Sequence, residues 1–161
     1  MGLLSRINKV LNGILIGIGG ILLVATVFLT CANIFFRIVW VPIDGTFELV
    51  GFFGAVLTAF ALGYTQIRKG HISIDIMSIQ YPASVQKVVS GINGLICGLF
   101  FAFAGWRVAI WAGTLRAEGE VTETLRIIFY PFVYCVAFGC FVLALVLLTD
   151  FLGMFFRKKG I

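Results

Sequence analysis

Apolar and polar positions along this chain come in blocks rather than in alternation. Four apolar runs, Val10 to Phe36, Leu49 to Ile67, Val88 to Trp106 and Ile127 to Thr149, carry no charge at all. Every Lys, Arg, Asp and Glu falls between them or at the ends of the chain. Each run is close to the roughly 20 helical residues that cross a hydrocarbon core. A membrane-spanning barrel would show shorter segments of alternating polarity. The pattern therefore predicts an all-α integral membrane protein with transmembrane helices at about 8–38, 46–68, 82–112 and 124–155. They are expected to form one compact four-helix domain over residues 1–161.

Composition sharpens this reading. The chain is 61% hydrophobic and 12% charged, with a mean hydropathy of +1.10. Soluble domains carry about 25% charged residues, so this chain holds more apolar surface than a small globule encloses. The opening "MGLLSRINKV" followed by an apolar run has the look of a secretory signal. Its apolar region is far longer than the roughly 7–15 residues of such a signal, and no small-x-small cleavage site follows. An uncleaved first helix is expected. The net charge of +5 is scattered over segment ends and forms no basic stripe. That distribution speaks for membrane topology and against a nucleic-acid partner.

Lys and Arg collect in short cytoplasmic loops. Arg6, Lys9, Arg68, Lys69, Lys87, Arg157, Lys158 and Lys159 fall on one side of the predicted bundle, and Arg37, Arg107, Arg116 and Arg126 on the other. The second side also collects Asp44, Glu118, Glu120 and Glu123. Both termini are expected in the cytoplasm. Trp40, Trp106 and Trp111 then sit near the outer ends of helices 1 and 3, as an aromatic belt would. Between helices 2 and 3, Arg68 and Lys69 stop helix 2, and Gly70 breaks it. "HISIDIMSI" reads as a short interfacial segment, ahead of Pro82 at the start of helix 3.

Candidate chemistry is sparse. His71 is the single histidine, and no Cys/His cluster with metal-ligand spacing accompanies it, so neither metal nor haem is expected. A structural or subunit-contact role suits it better, and Asp75, four residues on, is placed to pair with it or with Lys69. Cys31, Cys97, Cys135 and Cys140 all fall within predicted helices, without a C-x-x-C pair, and read as small packing residues. Arg37, Glu48, Arg107 and Asp150 are expected at helix ends, leaving no charge near mid-span. Asn33 and Asn93 are expected to bond across helices. Glu48 opens helix 2, where an acidic residue suits the positive helix end; pairing with Arg37 or Arg107 is the alternative. Gly13–Gly17, Gly94–Gly98 and the group Gly51, Gly54 and Ala55 are small-residue patterns that let helices approach. No phosphate loop, nucleophile elbow or acid/base pair is present, so neither an enzyme nor a cofactor is expected.

The order of features resembles a known family. "FELVGFFGAVLTAFALGYTQIRKGHISIDIM" has an acidic residue opening helix 2 and ends in an R-x-G-H-I-x-[IV]-D-like stretch. "TLRIIFYPFVYCVAFGCFVLAL" has a proline early in helix 4. Over about residues 5 to 155 the chain resembles the small membrane subunit of tripartite ATP-independent periplasmic (TRAP) transporters. In one departure, Phe47 stands where the family often has the first of two acidic residues. The resemblance implies a subunit of a sodium-driven importer in the bacterial inner membrane. It would clamp the scaffold of a large permease subunit, one to one, while a periplasmic binding protein captures an organic acid. Arg68 and Lys69 would then fix topology, and His71 and Asp75 would pin the inner loop against itself or the large subunit. Arg37, Glu48 and Arg107 would make contacts near the outer face, and residues 118–123 would face the binding protein. Lipid covers the remaining surface. The rival readings are a small homo-oligomeric channel or exporter and, behind it, an electron-transfer membrane anchor.

Overall fold

The computed structural model describes residues 2–68 and 83–156. Lys69, His71, Asp75 and the expected interfacial segment lie outside the described residues. Among the described residues four helices make up the fold: α1 (Gly2–Val39), α2 (Thr46–Ile67), α3 (Ala83–Glu118) and α4 (Tyr130–Phe156). Each contains a stretch long and apolar enough to cross a membrane.

The helices do not close into the compact bundle expected from the sequence. α1 packs on α2, α2 on α4, and α4 on α3, with only a small direct contact between α1 and α4. The result is a row in which α2 and α4 are central and α1 and α3 flank them. Burial follows that order: 33% of the most apolar window of α4 is buried against 11% for α1 and α3. The core of Leu15, Val56, Ala59, Phe60 and Val142 lies where α1, α2 and α4 meet.

Small residues set the spacing, though mostly not those the sequence singled out. Gly139 of α4 lies directly on the Ala59 backbone of α2; a Cβ there would stand 2.7 Å from the Ala59 carbonyl oxygen. Gly105 of α3 lies on α4, where a Cβ would stand 3.2 Å from Cys140 Cβ and 3.3 Å from the Ala137 carbonyl. Gly13, Gly17, Gly51, Gly54 and Gly94 have open space in front of them, and Gly98 alone of the expected set meets a neighbour, Leu147. Sequence spacing marks small faces; it does not say which of them faces a neighbour.

These contacts also fix the heights of the helices relative to one another. Phe52 stacks on Phe132 with ring centroids 4.3 Å apart, and Ala59 meets Gly139, so α2 and α4 run side by side in parallel. α1 and α3 run the opposite way. The Asn8 side-chain amide donates to Thr149 Oγ1 at 2.8 Å, which puts the start of α1 beside the end of α4. We refer to this as the terminal end, and to the opposite one as the loop end.

Three boundaries differ from expectation; α1, expected from about residue 8, already begins at Gly2. α3 was expected to stop near residue 112 and continues to Glu118, because Ala112 and Leu115 keep a buried stripe against α4. Its stop is Gly119, at φ 67, with the Glu120 N–H donating back to the Leu115 carbonyl at 3.3 Å, the six-to-one bond of a glycine-terminated helix. α4 was expected from about 124 and begins at Tyr130. The preceding residues fold back on themselves, with Val121 bridged to Ile128 and the Thr122 N–H donating to the Ile127 carbonyl at 2.9 Å.

The α2–α4 contact yields a direct test. Gly139→Val should lower the thermal midpoint of the detergent-solubilised chain, by the equivalent of about 1–3 kcal/mol for overpacking. Gly17→Val, facing open space, should leave it within error. Equal effects would contradict this packing.

Candidate functional site

At the loop end, two connections are locked together by one carboxylate. The α1–α2 connection turns through Gly45 at φ 73, a conformation that suits glycine. The Asn33 side-chain oxygen accepts from the Ile43 N–H at 2.8 Å, and the Thr46 hydroxyl donates to the Ile43 carbonyl at 2.7 Å. These bonds point Glu48, in the first turn of α2, at the α3–α4 loop. Its two oxygens accept from the backbone N–H groups of Thr124 at 2.8 Å and Leu125 at 3.1 Å. The hydroxyls of Thr122 and Thr124 lie near the same carboxylate. Two consecutive N–H groups on one carboxylate form a charge-assisted, bidentate arrangement.

The loop is shaped to receive it. Thr122 is buried, and its Oγ1 accepts from the Ile127 N–H at 3.0 Å. Arg126 takes a positive φ of 53 to close the turn. Leu125 lies over Gly45 so closely that any Cβ at position 45 would collide with it. Phe129 meets Phe52 edge-on at 5.4 Å. Beside the latch is a shallow recess lined by Phe47, Glu48, Gly51, Phe52, Thr122, Glu123 and Phe129. Phe47, which stands where an acidic residue is often found, is 85% exposed on its rim.

Glu48 therefore pairs with neither Arg37 nor Arg107. Arg37 is exposed in the last turn of α1. Arg107 is exposed on α3 and, because α3 runs on to Glu118, is not at a helix end as expected. Gly105 packs at the level of Ala137 and Cys140, and Gly139 at the level of Ala59. Arg107 is thus level with the middle of α2, on the side of α3 opposite Gly105. A charge at the centre of a spanning helix costs about 2.5–3.5 kcal/mol on insertion-based scales. Arg68, just past α2, donates from Nε to the Tyr64 hydroxyl at 3.2 Å and lies over the Tyr64 ring at 5.5 Å.

A polar cluster near the terminal end was not anticipated. Asn8 and Asn12 are buried, 4% and 1% exposed, on the face of α1 turned to α2 and α4. The Asn12 amide donates to the Asn8 carbonyl at 2.9 Å. Neither side-chain oxygen has a hydrogen-bond partner among the described residues. Asn12 Oδ1 lies against Gly63, where any Cβ would collide with it. The signal was present in the sequence as two asparagines one helical turn apart at the start of an apolar run. Asn33 and Asn93 drew attention instead, and neither bonds across helices: Asn33 holds the adjoining connection, and Asn93 accepts from the Cys97 thiol one turn away at 3.7 Å.

Among the described residues, no group of three or more His, Cys, Asp or Glu could hold a metal ion, and the four cysteines are free. What the described residues build is a static latch and exposed helix faces. The fold defines a multi-pass membrane protein with four spanning helices. The family model for tripartite ATP-independent periplasmic transporters, DctQ component, matches residues 26–157, and the chain belongs to that family. No curated protein and no solved structure matches it.

Glu48→Ala should free the α3–α4 loop. Hydrogen exchange at the Thr124 and Leu125 amides should speed up by about tenfold or more once their charged acceptor is gone, with exchange in the middle of α2 unchanged. Unaltered exchange at both amides would rule out the latch.

Proposed function

We propose that this chain is the static small membrane subunit of a TRAP transporter in the bacterial inner membrane, bound one to one to the scaffold of the large permease subunit. The observation that carries this reading is the open row. α1 and α3 expose apolar side chains along their length, including Ile21, Phe28, Ile34, Leu99, Phe100 and Phe103. A row of this kind suits extending another protein's scaffold. The Glu48 latch supports it, because fixing α2 to the α3–α4 loop keeps the row rigid while a neighbouring subunit moves.

Arg6, Lys9 and Arg68 at the terminal end favour both termini in the cytoplasm. The loop end, with Glu118, Glu120 and Glu123 exposed, then faces the periplasm, where a solute-binding protein docks. Import of an organic acid driven by a sodium gradient is the activity this subunit would serve, with substrate choice made in the other two components.

The test is solute uptake by reconstituted vesicles containing the large subunit and loaded binding protein, with and without this chain. Uptake in the presence of an inward sodium gradient should fall to background when the chain is omitted and return when it is restored. Full uptake without it would contradict an obligatory role.

A further inference from the structure

Arg107 stands at mid-depth of the helix row, on the side of α3 turned away from α4. Around it on α3 are Phe103, Trp106, Ile110 and Trp111, all exposed and all apolar. Acyl chains offer a guanidinium no hydrogen-bond acceptor. Snorkelling does not resolve the position. The next charge toward the loop end is Arg116, nine residues on, about 13 Å along the helix axis and farther than an arginine side chain reaches. Helical side chains lean toward the helix N-terminus, which carries Arg107 away from the loop end.

Among the described residues, a second copy of the chain offers no carboxylate at that depth. Of the seven acidic residues, Asp44, Glu48, Glu118, Glu120, Glu123 and Asp150 lie at helix ends or in the loops, and Asp75 lies outside the described residues. Matching α3 faces across a two-fold axis would set one Arg107 against another. The charge therefore selects a different membrane protein, one with an acceptor at the same depth. A guanidinium presents a planar fork that matches a carboxylate bidentately.

We propose that the Phe103–Arg107–Ile110 face of α3 docks on the large permease subunit, which presents a carboxylate to Arg107 within the hydrocarbon layer. This rests on the assignment of the chain as a TRAP transporter small subunit. The apolar residues supply contact area, and the ion pair fixes depth and register. Two lipid-compatible surfaces that could otherwise slide past each other are held at one height.

The test uses the full chain in complex with the large subunit in mild detergent. A photo-crosslinking residue at position 103 or 110 should form an adduct with the large subunit, and one at Val24, on the flanking helix α1, should not. Arg107→Leu should reduce the large subunit retained through washing by about tenfold or more, and Arg107→Lys should retain an intermediate amount. The Arg107→Leu chain alone should unfold at or above the wild-type temperature, because an unpaired mid-span charge has been removed. Wild-type retention by Arg107→Leu, without adducts at 103 or 110, would overturn the docking face and leave the subunit assignment intact. A lowered midpoint for the Arg107→Leu chain alone would place the arginine's partner within this chain and also overturn it. Failure of the wild-type chain to hold the large subunit would overturn both.

Discussion

The close approach of α2 and α4 is the constraint from which the rest of the structure follows. Gly139 against the Ala59 backbone brings the two central helices into contact, and Phe52 on Phe132 sets their register. That register places the first turn of α2 opposite the α3–α4 loop, where Glu48 reaches the Thr124 and Leu125 amides. It also settles depth. Because α3 is registered on α4 through Gly105, Arg107 falls at the middle of the row.

Within a bilayer, apolar burial gives helices little reason to associate, since lipid tails are as apolar as leucine. Close packing at small residues and interhelical hydrogen bonds take over. The chain uses both, with hydrogen bonds at the two ends and close packing between them. Asn8 to Thr149 ties α1 to α4 at the terminal end, and the Glu48 latch ties α2 to the α3–α4 loop at the other. Between them the row is held by Gly139, Gly105 and the Leu15–Phe60 cluster. The flanking faces of α1 and α3 stay open, which suits a chain whose assembly is completed by another protein.

Much of the fold was legible in the sequence, and the failures have physical causes. Continuous apolar runs bounded by charge announced four spanning helices, because hydrocarbon admits few alternatives. Their arrangement was not announced. A row and a closed bundle need the same runs, and Gly13–Gly17 reads like a packing motif whether or not a helix lies in front of it. The end of α3 was missed because Arg107 looks like a stop signal, whereas the stop is Gly119 and the stripe through Ala112 and Leu115 carries the helix past the arginine. Glu48 stood out in the sequence as a helix-start charge. Its partners did not, because a backbone N–H has no sequence signature and Thr122 to Leu125 lie more than seventy residues away in the chain. The buried Asn8 and Asn12 were overlooked because a short polar residue near a helix start reads as interfacial until its depth is known.

The central claim is that this chain is one half of a two-part membrane assembly. Native mass spectrometry of the chain, released from its own membrane in mild detergent, tests it most directly. A single assembly containing one copy of this chain and one large, many-helix permease subunit is the expected result. A defined oligomer of this chain alone would contradict it and favour a small homo-oligomeric channel.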